Sequence, residues 1–425
     1  MDDTSIYSST VPQVSSTQTL RIGLLGHGTV GSAFSRRVLS TPELGWEISK
    51  IAVRNVPRHA AASPELSPSV WSNDPHSVVS SPDVDVVVEL IGGMEPAREL
   101  ILGAIRSGKH VVSANKMLLS SCGHELFLAA RSAGVDLRFE AAVCGAIPVV
   151  SALRTLPYGV DVFSVLGVLN GTTNYVASAM QSGIPPTTAL RTAQSMGFAE
   201  LDPSDDMQGV DPAAKLALLS SLVSGGWVSR ESVSARGLIG VGVEEVSAAG
   251  AFGRVVRLVA RAEFRASGVF SEVVPAALEP SHPLASLDGV RNGLLVDTSV
   301  GLLEWFGPGA GGAQTALSVA SDVLSCTSRS HVLSRLASQP QIPSAPMPDS
   351  GTWVIACTTS KTLEDSTAFQ RAPSLGIRVE DLKTLGDGMQ ALMFESASSG
   401  DLMRFVALLV ATRGVVRLGS PLRVL

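Results

Sequence analysis

The stretch "LRIGLLGHGTVGSAFSRRVL", residues 20–39, limits the fold more than any other. An apolar run meets GxGxxG at Gly26, Gly28 and Gly31, and an amphipathic helical pattern follows. Strand, glycine turn and helix in this order predict the opening of a βαβ unit with a dinucleotide site. Gly26 permits the tight turn. Gly28 lets a pyrophosphate approach the backbone, and Gly31 lets helix and strand pack closely. The free N–H groups of the helix start, with their partial positive charge, then face the phosphates.

The runs "WEISKIAVR", "DVDVVVELIGG", "HVVSANK" and "VDLRFEAAV" continue the alternation with helical patterns. They predict an α/β chain whose residues 20–148 form a Rossmann-type, doubly wound parallel sheet. Residues 149–306 read as a second α+β unit. "GPGAGGAQTALSVASDVL" then places a glycine loop before an apolar helix. A Pro/Ser-rich linker follows over 331–350, and residues 351–425 read as βαββαβ. Residues 1–19 lack the basic and apolar regions of a secretory signal and read as a disordered leader.

Charged residues make up 16% of the chain, against about 25% on average. A formal net charge of −6 argues against a nucleic-acid partner. No run of about 20 apolar residues predicts a membrane span. Four scattered cysteines, Cys122, Cys144, Cys326 and Cys357, fit a reducing cytoplasm without disulfide or zinc frameworks.

Arg54 and Arg58 follow the second strand, where an acid would bind ribose hydroxyls. A guanidinium matches a 2′-phosphate, which favours NADP(H); the alternative is a solvated loop arginine. Lys116 lies just past a parallel strand, either facing the cofactor crevice or on the surface. In "GFAELDPSDDMQGVDPAAKLALLS", Glu200, Asp202, Asp205, Asp206 and Asp211 precede Lys215. Asp211 suits an N-cap and Pro212 the first helical position, which places Lys215 one turn on. Carboxylates and the helix start then act on the lysine in opposite senses, an arrangement suited to proton transfer. A solvated acidic loop is the competing reading. "FEAAVCGAIPVV" offers Glu140 and exposed turn carbonyls to a hard cation, or is a plain crossover.

These segments, with "SANKMLL", "GVLNGTTNYV" and "GPGAGGAQTA", resemble homoserine dehydrogenases in content and order over residues 20–330. The resemblance implies NAD(P)H-dependent reduction of L-aspartate 4-semialdehyde to L-homoserine. It implies cofactor contacts at Gly26, Gly28, Thr29, Val30, Gly31, Lys116, Gly197 and Gly311. It assigns substrate binding to Glu200 and Asp211, where Asp206 reads as a substrate-side partner of a lysine, and proton transfer to Lys215 with Lys116 and Asp211 beside it. Its sodium site falls on Glu140, Val143, Gly145 and Ile147. It implies that residues 149–306 bind substrate and dimerise, that residues 307–330 complete the first unit, and that the chain assembles as a homodimer or homotetramer.

His27, Gln314 and Cys144 depart from the family's usual residues. Residues 351–425 resemble an ACT domain, yet "TTSKTLEDS" lacks that domain's glycine-containing first loop. Two other readings are another semialdehyde oxidoreductase of this fold and a non-catalytic NADPH or amino-acid sensor. The retained lysines and Glu200 argue against a sensor. No cysteine nucleophile motif supports a phosphorylating aldehyde dehydrogenase.

Overall fold

The computed structural model describes residues 19–327, 342–345, 350–360, 362–412 and 415–425. Nearly all of the expected leader and most of the expected linker lie outside these residues. Two sheets organise the rest.

The first sheet contains β1 (Leu20–Leu25), β2 (Trp46–Ala52), β3 (Trp71–Ser72), β4 (Val86–Glu89), β5 (His110–Ser113) and β6 (Leu137–Arg138). All its pairs are parallel, in the order β3-β2-β1-β4-β5-β6. The order reverses between β1 and β4, which opens a crevice at their carboxyl ends. Both faces are covered, so the central strands β1 and β4 read as near-continuous apolar runs rather than alternating. Leu25, Val87 and Val111 pack with Leu100, Ile101 and Leu126 on one face. Ile22, Leu24, Val86 and Val88 pack with Phe34, Val319 and Val323 on the other. Helix Gly312–Thr327, late in the sequence, therefore covers the first sheet.

The second sheet begins with β7 (Val162–Val168), β8 (Ser234–Ala235), β9 (Val255–Arg265), β10 (Gly268–Leu278), β11 (Arg291–Thr298) and β12 (Gly301–Pro308). It continues with β13 (Gly351–Thr359), β14 (Ile377–Gly386), β15 (Met389–Ser396), β16 (Val415–Leu418) and β17 (Leu422–Val424). Its main path runs β12-β11-β7-β9-β10-β17-β13-β15-β14, with β8 on β10 and β16 on β13. The sequence reading separates residues 149–306 from 351–425. The structure joins them, because β17 pairs parallel with β10 and antiparallel with β13. A three-residue strand carries too little pattern to reveal two partners.

Two of the chain's passages between the sheets lie near residue 145 and near residue 309. The crossings touch: a Cβ on Gly145 would stand 2.7 Å from the Gly309 carbonyl carbon.

Candidate active site

The three fingerprint glycines answer to three different constraints. Gly26 has φ +96°, and a Cβ there would lie 2.9 Å from Leu90 O. A Cβ on Gly31 would lie 2.6 Å from Gly26 O, so helix and turn cannot separate to admit a side chain. At Gly28 a Cβ would meet nothing within 4 Å, which leaves that backbone open to a ligand. Helix Thr29–Ser40 has Gly28 at its N-cap and no side-chain cap, so its first N–H groups face outward. The crevice here measures about 210 Å³ and is lined by Gly28, Thr29, Val30, Gly31, Leu90 and Asn115 among others. A wider cleft of about 700 Å³, lined by Arg21, Trp46 and Asp83 among others, lies at the amino ends of the strands, away from this chemistry.

Around the crevice the sequence candidates separate. Arg54 is exposed two residues past β2. Asn55 caps the next short helix by accepting from Arg58 N at 3.1 Å. Gly311, φ +128°, precedes helix Gly312–Thr327, and a Cβ on Gly312 would stand 2.5 Å from Thr29 Cγ2. Gly311 is thereby held beside the fingerprint. Gly197 is an exposed turn after helix Pro186–Ser195 and is not among the residues lining the crevice. His27 turns inward, 2.8 Å from Ser35 Oγ. Burial, then the neighbouring His59, lowers its pKa to about 4, so it offers no cation to a phosphate at neutral pH.

The second group of candidates meets at one carboxylate. Lys116 is the first residue of helix Lys116–Ala133, where Asn115 Oδ1 caps Leu118 N at 3.2 Å. Its Nζ lies 2.9 Å from Asp211 Oδ1. Lys215 Nζ lies 2.9 Å from Asp211 Oδ2 and donates to Leu169 O at 2.7 Å. Asn170 Nδ2 donates to Asp211 Oδ2 at 2.8 Å and to Asp206 Oδ1 at 2.7 Å. Asn170 Oδ1 meanwhile accepts from Thr173 N, capping helix Gly171–Gln181. Loops after β5 and β7 are thus tied to the acidic segment.

Asp211 is only 2% exposed. Burial opposes its charge, but Lys215 and then Lys116 overcome this and hold its pKa well below the usual carboxylate range. Asp211 in turn raises the Lys116 pKa against burial, and Asp206 and Glu200 add to the effect. Glu200 is exposed, and its backbone carbonyl is fixed by Gln194 Nε2 at 3.0 Å. Asp202 is spent locally, accepting from Ser204 N at 3.1 Å. Asp205 is an exposed residue in the first turn of helix Ser204–Met207.

One sequence reading is corrected. Helix Val210–Ser224 is preceded by Gly209 in the left-handed region, φ 82°, so Asp211 is not its cap. The buried Lys215 and the half-buried Lys116 both hold that carboxylate, which leaves it turned away from the helix end. Lys215 therefore lies in the second turn.

The cation candidates are also less open than expected, since Val143, Gly145 and Ile147 are buried. Glu140 accepts from Val150 N at 2.8 Å, Ser151 N at 2.7 Å and Ser151 Oγ, capping helix Val149–Arg154. Gly145 O accepts from Ser318 Oγ at 2.5 Å, and Ile147 O from Val149 N at 2.8 Å. Cys144 is fully enclosed, and burial pushes its thiol up to about 12.

Sequence reasoning missed Asn170, whose signal was an asparagine directly before "GTT" at a strand end. It also missed two buried acids. Glu89 ends β4 and accepts from Ile91 N, Gly92 N and Ser113 Oγ. Asp322 accepts from Glu140 N at 2.7 Å, and its helical pattern gives no sign of it. Burial, with Glu140 nearby, raises the Asp322 pKa from 3.8 to about 8. An acid raised on folding stabilises fully below its unfolded value and loses that contribution as pH rises through the folded one. Asp322→Asn is expected to flatten the fall in stability between pH 3.8 and about 8, read by urea denaturation across pH. An unchanged slope would show that the carboxyl is not the group that titrates.

Known proteins resemble this chain over most of its length. The family model described as the NAD-binding domain of homoserine dehydrogenase matches residues 26–140, and the one described as homoserine dehydrogenase matches 148–324. The Synechocystis homoserine dehydrogenase is 41% identical, covering 72% of this chain and 73% of its own. That of Corynebacterium glutamicum is 34% identical over 95% of each. Among solved structures, the homoserine dehydrogenase of Thiobacillus denitrificans has TM-score 0.86 and 30% identity, covering 96% of this chain and 98% of its own. A hyperthermophilic archaeal homoserine dehydrogenase in complex with NADPH shares the fold, at TM-score 0.62 and 24% identity, covering 73% of this chain and 98% of its own. Matched over most of its length by these relatives, the chain belongs to the homoserine dehydrogenase family.

Proposed function

We propose that the crevice and the Lys116–Asp211–Lys215 node carry out reversible reduction of L-aspartate 4-semialdehyde to L-homoserine, with NADP(H) preferred. The oxidoreductase activity and the nicotinamide cofactor follow from family membership. The observation that carries the residue roles is Asp211, which holds two ammonium groups at 2.9 Å each.

A bound nicotinamide supplies or takes the hydride at C4 of the substrate. Backbone N–H groups at Thr29 and Val30 receive the pyrophosphate, with the helix start adding partial positive charge. Lys215 donates a proton from Nζ to the aldehyde oxygen during reduction and takes one back from the alcohol during oxidation. Lys116 stabilises negative charge developing on that oxygen. Asp211 fixes both ammonium groups, and Asn170 fixes Asp211. Glu200 holds the substrate ammonium, and Asp206 supports that end of the site. The decisive assay is homoserine-dependent reduction of NADP⁺ and NAD⁺ side by side, with and without threonine. No turnover with either cofactor rejects the reading.

Arg54 sets cofactor preference in this proposal, by pairing with a 2′-phosphate. Arg54→Asp is expected to raise KM for NADP⁺ by about tenfold or more while leaving that for NAD⁺ little changed. Equal effects on both cofactors would remove Arg54 from this role.

The turn at 140–147 suits a monovalent cation such as sodium, held by Glu140 with the carbonyls of Val143, Gly145 and Ile147. One carboxylate with neutral oxygens matches a hard cation, and carbonyls that accept one hydrogen bond keep a second lone pair. Residues 351–425 are proposed as an ACT-like module, supported by the strand order β14-β15-β13 with β16 and β17 beyond. Its first loop favours assembly over threonine binding. Exposed Phe163 and Leu302 on the second sheet, with Val300 in the turn between β11 and β12, support a homodimer or homotetramer. Four unbridged cysteines support a cytoplasmic setting. No helix among the described residues is long and apolar enough to cross a membrane.

A further inference from the structure

β8 and β17 lie end to end along one edge of β10. β9 occupies the other edge for its full length. β8 pairs at Glu272 and Val273, β17 at Ala276 and Ala277, and both run parallel to β10. The gap between them falls at Val274 and Pro275, where proline has no N–H to offer.

Arg236 spans that gap. Its backbone N donates to Val273 O at 2.8 Å. Its guanidinium donates to Pro421 O at 2.6 Å, just before β17. β17 is held from the other side as well, since Arg423 lies 3.3 Å from the buried Glu272 carboxylate.

The next residue reaches the substrate side. A Cβ on Gly237 would stand 2.0 Å from Met207 O and 2.4 Å from the Gln208 carbonyl carbon. Leu238 N donates to Met207 O at 2.9 Å. Met207 and Gln208 lead through Gly209 to Asp211, and Gly209 N is bonded to Asp206 O at 3.0 Å. One three-residue segment therefore touches the C-terminal strand on one side and the backbone carrying Asp206 and Asp211 on the other. The contacts to Val273 and Met207 are backbone to backbone, the one to Pro421 runs through the Arg236 guanidinium, and Gly237 and Leu238 are buried, so little slack separates the two ends.

We propose that residues 236–238 are a strut through which the C-terminal strand sets the substrate-side loop, with Arg236 as its positioning residue. Arg236 touches neither substrate nor cofactor. The inference rests on the reading that Asp206 and Asp211 belong to the substrate site. A displacement of β17 reaches that site, while the cofactor crevice, built on the other sheet, is unaffected.

The test uses the full chain with Lys215 intact. Arg236→Met keeps the aliphatic stem and removes the donor to Pro421. It is expected to raise KM for homoserine by about five- to tenfold, with KM for NADP⁺ unchanged. Arg236→Lys restores one donor and should recover part of the loss. Gly237→Ala introduces the clash with Met207 and should give the same signature, larger. A lower melting temperature with unaltered homoserine KM overturns the proposal, as does an equal rise in both KM values. If Arg236→Met does not fold, Arg236→Lys carries the same comparison. A failure of the site reading is seen separately, as retained turnover in Lys215→Ala.

Discussion

Lys215→Ala is expected to lower kcat for homoserine oxidation by about two to four orders of magnitude, the usual contribution of a general acid–base group. The reason is positional. Lys215 Nζ is fixed by Asp211 and by Leu169 O, so the proton it transfers is held at one place. Alanine leaves that volume without a donor. Cofactor binding should survive, because the fingerprint crevice is built on the first sheet. Fluorescence titration with NADPH and steady-state kinetics on one preparation separate the two effects. Turnover within a few-fold of the parent would reassign the proton to Lys116 or to water.

Asp211→Asn is expected to be more damaging to the protein as a whole. It keeps the shape but leaves Lys116 and Lys215 facing each other without their shared anion. Breaking a buried ion pair costs about 3–5 kcal/mol, and here one carboxylate serves two cations. The sign follows from both partners. Asp211 is depressed on folding, so its contribution is present above the ordinary carboxylate range and lost as pH falls through the folded value. Lys116 is raised, so its contribution is present below 10.5 and lost as pH rises through its folded value. The variant should lose stability across the neutral range between these limits, with kcat falling as well. Parental stability at pH 7 by urea denaturation would contradict the shared-anion arrangement.

Much of the first sheet was legible, and the reasons are local. β1, the fingerprint and helix Thr29–Ser40 follow one another without interruption, so period and glycine spacing coincide. β3 was not legible, because two residues carry no period. In the site, Lys116, Asp211 and Lys215 stood out as charges in a chain sparing of charge. Their arrangement did not. Asp211 looks like a helix cap from its neighbours alone, and only the fold brings Lys116 across from the end of β5 to claim it. Asn170 and Asp322 act through partners far away in sequence, a relation no local pattern records.

The insertion of β17 into the second sheet bears on how the chain is made. Ala276 and Arg423 are paired neighbours yet stand about 150 residues apart, so this contact closes late. Every residue of β10 is buried in the finished protein. Until β17 arrives, part of that strand presents an apolar, unpaired edge of the kind that recruits other chains. A product cut short before Leu422 keeps that edge permanently. Attempts to express residues 20–330 alone are therefore expected to yield aggregates unless something else is supplied to occupy it.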